Sequence, residues 1–417
     1  MSSTTSQTGG TRRAGRTIDR IAAVTTYAVA YPLEAPMADA VHYIPTREAL
    51  LVEVTTESGR VGIGESAIYG GSPGTTEALI HDVLAPRVLG QDPTRPELLW
   101  ARMFWPSHQL GNGGALVMAL SGIDIAVWDI TAQIAGLPLY RLLGGYRDAV
   151  PAYASAGFYF EGKGPKELAE EFRGYVDRGF RHGKMKVGRT PDTPLNPLAQ
   201  MVRPEFAAVS FEEDLERVRA VRAAVGDAFS LAVDANNAWT PSAALRAGRE
   251  FDRLGIAWFE EPVLTDDRAG SAALAAALDT PISGYETESL VSGFRDLVEA
   301  RAVDIVQPDV IWTGGITGCR RVAAIAHAAG LACIPHVYSS AASIVSNLHF
   351  IASIPNSVLL EFDQNPNALR TELLAEPIEP DADAVVAVPD RPGLGIRLDR
   401  TTLGRYATAP PRTSELP

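Results

Sequence analysis

Between Lys184 and Glu361 a charged residue recurs at the end of short, apolar, strand-like segments, and its period limits the architectures open to the chain. The segments read KMK (Lys184 to Lys186), LAVDAN with Asp234 and Asn236, AWFEEP with Glu260, ISGYE with Glu286, DIVQPD with Asp309, ACIPH with His336 and VLLEF with Glu361. From Asp234 onwards the charged residues stand about 25 positions apart, enough for one strand, one loop and one helix. Parallel strands need such crossovers, and the crossovers are right-handed. Repeated, they wind a parallel sheet that can close into a barrel, with site residues where the strands end. The expected class is therefore α/β, a (β/α)7β TIM-like barrel whose polar residues converge on one rim.

Composition narrows the partners. The chain has 417 residues, 46% hydrophobic, with a formal net charge of −13. Such a balance argues against nucleic acid, which calls for a basic footprint. A small anionic carboxylate substrate would have to be held by local positive charge against the global field. Two cysteines, Cys319 and Cys333, are too few for a disulfide framework and fit a reducing cytoplasm. No run approaches the roughly 18 to 20 unbroken apolar residues of a membrane span, so no membrane role is expected. Residues 1–17 lack the apolar stretch of a signal peptide and read as a disordered tail.

Along the chain, residues 18–148 alternate in strand fashion over Ile18 to Tyr31 and Glu48 to Glu57, then turn helical over Thr75 to Leu89, Pro96 to Arg102 and Ala115 to Ala135. This order describes an α+β capping domain. Residues 149–375 form the barrel, with helices expected over Lys166 to Arg178, Phe211 to Val225, Pro241 to Leu254, Ser271 to Leu278, Leu290 to Glu299 and Cys319 to Ala329. Residues 376–417 are short strands and Pro-rich turns expected to pack back on the capping domain. The rhythm breaks once, at the Pro-rich insertion Arg189 to Ser210, which leaves the rim and could cover the site.

The strand-end residues carry chemistry. Asp234, Glu260 and Glu286 are carboxylates on three consecutive strands, a donor set suited to a hard cation such as Mg²⁺, although solvated rim residues or salt bridges are the bland alternative. Glu261, by strand alternation, points away as a supporting partner. Lys184 and Lys186 share one strand face, and two ammonium groups there would depress each other's pKa towards that of a usable base. His336 ends the strand next to the one that carries Asp309, a carboxylate able to fix the imidazole tautomer. The other six histidines read as ordinary core or surface residues, although His42 shares a capping-loop stretch with Tyr43, and Tyr69 lies in another. Bases on opposite sides of a cation would suit removal of an α-proton from a carboxylate, with Glu361 able to donate a hydrogen bond to the intermediate if protonated.

These motifs, with SGIDIAVWDI, LLGG, KMKVG, VDANNAW, WFEEP, GYE, QPD, IPHVYSS, LLEFD and PGLGI, resemble the enolase superfamily, in its mandelate racemase subgroup. The resemblance implies a capping domain on the barrel and a homo-oligomer, commonly an octamer. It implies Asp234, Glu260 and Glu286 as Mg²⁺ ligands, Lys186 and His336 as opposed acid/bases, Lys184 as electrostatic neighbour, Asp309 as dyad partner, Glu361 as the acid near the enolate, and Asn236 as a substrate contact. His42 and Tyr43 are further substrate-binding candidates. The chain departs where GYET stands in place of GGE or GEN, and at the Arg189 to Ser210 insertion. LLEFDQNPNALRTELL is similar to members acting on sugar acids and lactones, so dehydration of an acid sugar to a 2-keto-3-deoxy acid is the favoured outcome. Racemisation or epimerisation of a 2-hydroxy acid, cycloisomerisation of a sugar-acid lactone, and a metal-binding barrel without catalysis are the alternatives.

Overall fold

The computed structural model describes residues 18–189 and 209–416. The first sheet is antiparallel: β1 (Ile21–Ala38), β2 (Tyr43–Thr56) and β3 (Val61–Ser66) follow one another, and the last strand of the chain, β13 (Arg412–Glu415), pairs with the free side of β1. Val24 opposes Val54 and Ala28 opposes Leu50, all on the same side of the pleat, so one face of the sheet carries an apolar set.

On that face lies the helix Ala115–Ala135, nearly all of it buried. By length and composition it could cross a membrane, although Ser121, Asp124 and Asp129 interrupt its apolar run, and 89% of its apolar window is buried inside the protein. Two glycines of RVGIGES let it approach. A Cβ on Gly62 would stand 2.1 Å from the Ala126 carbonyl oxygen, and one on Gly64 would stand 2.1 Å from that of Gly122. The helix ends at Gly136, a left-handed cap.

The same helix binds the second domain. Asp124 accepts from the Thr317 amide at 2.9 Å and its hydroxyl at 2.7 Å, and Ser121 Oγ accepts from the Gly314 and Gly315 amides. These contacts satisfy the first turn of the helix Gly315–Ala328.

The second domain runs β4 (Ala149–Ala156), β5 (His182–Lys186), β6 (Ser230–Asp234), β7 (Phe259–Glu260), β8 (Ile282–Gly284), β9 (Ile305–Val306), β10 (Ala332–Cys333) and β11 (Leu360–Asp363), all parallel. Each neighbours the next up to β10, and β11 comes round to pair with β4. The seam between β10 and β11 is spanned by the Cys333 amide on Asn356 O at 2.8 Å and the Val337 amide on Glu361 at 2.8 Å. The sheet therefore closes into a barrel, with a helix in each crossover. Several of these helices start on side-chain caps, including Ser210, Thr240, Asp267 and Ser340.

Most helices lie within a few residues of the sequence reading, and Phe211–Val225 and Ala115–Ala135 match it at both ends. The helix Ala341–Ser353 was not anticipated. The expected helix over Thr75 to Leu89 is broken by a wider turn at Leu79–Leu84. β12 (Val385–Ala387) pairs antiparallel with β4, outside the barrel order. Residues 1–17 and 190–208, which include the expected tail and most of the expected insertion, lie outside the described residues. The described residues on either side of the second segment are joined, the Val209 amide donating to Arg189 O at 3.0 Å.

Candidate active site

Strand register brings the charged residues together. Lys186 on β5 stands opposite Asp234 on β6, which stands opposite Glu260 on β7, so three neighbouring strands present charge at one level of the rim. Lys184 lies one pleat period deeper on the same face of β5 and is 1% exposed.

The lysines are held by carboxylates. Lys184 donates to Glu260 and lies 2.9 Å from Glu361 and 3.7 Å from Asp234. Lys186 donates to Asp234 at 2.5 Å and lies 5.1 Å over the Phe158 ring. The expected mutual lowering of the two lysine pKa values is not what this arrangement produces. Burial and Lys184 press Lys186 downward, but the Asp234, Glu286 and Asp39 carboxylates outweigh them and hold it above its ordinary value. Lys184 is likewise raised despite burial, by Glu260, Glu361, Tyr153 and Asp234.

Across the rim, His336 Nδ1 is 2.9 Å from Asp309 Oδ2, so Nδ1 carries the proton and donates. Nε2 faces Glu286 Oε2 at 3.2 Å. Burial opposes charging the ring, but Glu286 and the hydrogen bond to Asp309 push its pKa up to about 9. Asp309 is fixed in turn by Asn347 Nδ2 at 2.9 Å and the Ile311 amide at 3.1 Å.

Glu361 differs from the expectation of a hydrogen-bond donor. It accepts from Ser155 Oγ at 2.6 Å and from the Val337 amide. Against burial, Lys184, His336 and these donors bring its pKa down to about 2, so it is an acceptor here.

Glu260 also accepts from Trp258 Nε1 at 3.1 Å and Gln307 Nε2 at 2.8 Å. Glu261 turns back to the rim instead of away, at φ 44°, where it accepts from the Glu286 amide and Asn237 Nδ2. Burial raises the pKa of Glu260 to about 7 and raises those of Glu261 and Glu286.

Among the described residues no three His, Cys, Asp or Glu side chains already enclose a metal position, because Asp234, Glu260 and Glu286 each lean on a cation of the protein. The donor set nevertheless fits a hard divalent ion. Six buried or nearly buried carboxylates (Asp234, Glu260, Glu261, Glu286, Asp309, Glu361) face three cationic groups, and burial keeps Glu260, Glu261 and Glu286 raised against those cations.

Of the remaining candidates, Asn236 is 6% exposed with a side-chain oxygen that has no partner among the described residues. His42 bonds to Asp39 at 2.9 Å, yet its side chain is 65% exposed. Asp39 raises its pKa, while solvent screens the pair. Tyr43 opens β2. Several participants escaped sequence reasoning. Ser155, at the end of β4, carried the strand-end signal but no charge, and Gln307 lay inside the QPD motif beside Asp309. Asp39 gave no signal until the fold brought it to Arg189, whose Nη1 donates to its carbonyl at 3.1 Å.

Residues 21–144 match the family described as the mandelate racemase / muconate lactonizing enzyme N-terminal domain, and residues 167–402 match the enolase C-terminal domain-like family. The arabinonate dehydratase of Saccharolobus solfataricus is 40% identical over 348 residues, 84% of this chain and 87% of that protein. The D-galactarolactone cycloisomerase of Agrobacterium fabrum is 32% identical over 94% of this chain and 100% of its own. The crystal structure of L-talarate/galactarate dehydratase from Salmonella typhimurium, liganded with Mg and L-lyxarohydroxamate, is similar at a TM-score of 0.83 and 30% identity, covering 100% of both chains.

Proposed function

The chain belongs to the enolase superfamily, in its mandelate racemase subgroup, as a lyase or isomerase, and from this premise we propose that it removes the α-proton of a small carboxylate and dehydrates an acid sugar. The observation that carries this reading is the pair of cationic groups flanking one carboxylate cluster: Lys186 at 2.5 Å from Asp234, and His336 at 3.2 Å from Glu286. Groups on opposite sides of a bound substrate can take a proton from one carbon and give one to its neighbour.

In this reading Asp234, Glu260 and Glu286 hold Mg²⁺, which when bound supplies positive charge beside the substrate carboxylate and competes for the carboxylates that now hold Lys186 and His336. One of these two residues takes the C2 proton, leaving an enediolate. The other donates a proton to the departing C3 hydroxyl, which leaves as water, and the resulting enol tautomerises to the 2-keto-3-deoxy acid. Asp309 keeps His336 in one tautomer, with Nε2 towards the substrate. Lys184 keeps Glu361 ionised and opposes the effect of burial on Glu260, and Asn236 offers its unpartnered side-chain oxygen to a substrate hydroxyl. His42 and Tyr43 contribute to binding from the capping side.

A second reading, cycloisomerisation of a sugar-acid lactone, has its support in the similarity to the Agrobacterium fabrum enzyme. The two separate in one experiment: incubation with Mg²⁺ and a library of aldonic acids, aldaric acids and lactones, with products identified by NMR. Dehydration yields a new C3 methylene, and cycloisomerisation opens a ring without loss of water. Chelation of the metal abolishes turnover, and Glu260→Gln raises the Mg²⁺ concentration needed for half-maximal rate by about 10- to 100-fold. A Glu260→Gln enzyme with unchanged Mg²⁺ dependence would exclude the ligand role.

A further inference from the structure

Beside His336, three hydrogen-bond donors have no hydrogen-bond partner among the described residues: Arg47 Nη1 and the hydroxyls of Tyr69 and Tyr338. They come from three separate elements, namely β2, the turn after β3 and the segment after β10. Their side chains form one wall. The Arg47 guanidinium lies 3.8 Å over the Tyr338 ring, the Tyr338 and Tyr69 rings are 6.3 Å apart, and each is 6.4 Å from the His336 ring. Trp312, at 5.0 Å, backs Tyr69, and Phe158, at 5.6 Å, backs Tyr338. Buried donors are seldom left unmet, so three at one place indicate a ligand that brings acceptors.

The charge of the wall limits that ligand. Arg47 is 3% exposed and its positive charge is already matched by Asp363, whose Oδ2 is 2.9 Å from Nη2. Asp363 is itself fixed by the Asn365 amide and side chain at 3.0 and 2.7 Å. The carboxylates of Glu65 and Asp309 stand near enough to Tyr69 to help raise its phenol pKa, behind the larger effect of burial. The wall thus offers donors without surplus positive charge. Burying a second carboxylate there would leave an anion uncompensated, whereas hydroxyl groups need only hydrogen-bond partners.

We propose that Arg47, Tyr69 and Tyr338 form a subsite for the hydroxylated tail of the substrate, so that the enzyme takes aldonates, with one carboxylate, in preference to aldarates, with two. The inference rests on the acid-sugar reading above and adds the substrate class to it. The test is calorimetric binding to the Mg²⁺-loaded full chain of five- and six-carbon aldonates and the aldarates of the same configuration, with C2 deuterium exchange followed separately. The best aldonate binds at least about 10-fold more tightly than its matched aldarate. Tyr69→Phe and Tyr338→Phe, which remove only a hydroxyl, each weaken aldonate binding by about 3- to 10-fold. Their affinity for glycolate, which has no tail, is unchanged. Equal or tighter aldarate binding, no aldonate binding, or wild-type aldonate affinity in both variants would overturn the subsite. Aldonate binding that depends on the tyrosines without any C2 exchange would instead leave the subsite standing and remove the α-proton reading.

Discussion

His336 shows how much a single residue depends on its neighbours. Its ring is buried, which favours the neutral form, yet Glu286 and Asp309 hold it charged. Replacing Asp309 with asparagine removes the negative charge facing Nδ1 and lets an amide donor stand there instead, so the apparent pKa of His336 should fall and the ring should lose its fixed tautomer. Turnover of Asp309→Asn is expected to drop by roughly two to four orders of magnitude, with the corresponding limb of the pH–rate profile moved to lower pH. An unshifted profile would show that the dyad does not govern this titration. The strand-end residues themselves were legible in the sequence because charge at the end of an apolar strand stands out. Their ionisation was not. The lysine pair is visible as two like charges, but the carboxylates that outweigh their repulsion arrive from β6, β7, β8 and β11 only through folding. Glu261 escaped for a local reason, a left-handed backbone at φ 44° that strand alternation cannot foresee.

At the scale of elements, the close approach of the helix Ala115–Ala135 to β3 holds the capping domain's own layers together. Gly64→Ala would set a methyl group against the Gly122 carbonyl, a backbone atom with little room to yield. A loss of about 1 to 3 kcal/mol in unfolding free energy is expected, readable by denaturant titration, and stability within error of wild type would show that the two elements can separate freely. Periodicity located this helix and most of the barrel helices, since each has one apolar face or clear stops. The helix Ala341–Ser353 was missed because nearly every residue in it is buried, which leaves no polar face to mark a period. The strands were easier to place by their terminal charges than by length, as β7, β9 and β10 are only two residues each.

For the whole molecule, the joint between the domains holds a buried carboxyl group that has no cation bonded to it among the described residues. Glu65 of β3 accepts from Ser339, Ser340 and the Ser343 amide, tying the capping sheet to the segment that follows His336. Burial raises its pKa to about 7 despite those donors. A carboxylate whose folded pKa lies above its unfolded value binds more protons in the folded state, so its contribution to stability falls as pH rises from about 4.5 to about 7. Wild-type protein should therefore lose more thermal stability between pH 5 and pH 8 than Glu65→Gln does, and identical pH dependence in the two would contradict a protonated Glu65. The joint was invisible in the sequence, where Glu65 and Ser339 are separated by most of the chain.

The claim on which the rest depends is that Lys186 and His336 act on the α-carbon from opposite sides. Its most direct measurement is proton NMR in D₂O with Mg²⁺ and an aldonate that the wild-type enzyme turns over. The account predicts that the C2 proton signal is lost with wild-type protein, and that Lys186→Ala and His336→Asn each abolish net turnover. One variant should still exchange the C2 proton for deuterium, because the base that first removes it remains. Undiminished turnover in both variants would contradict the account.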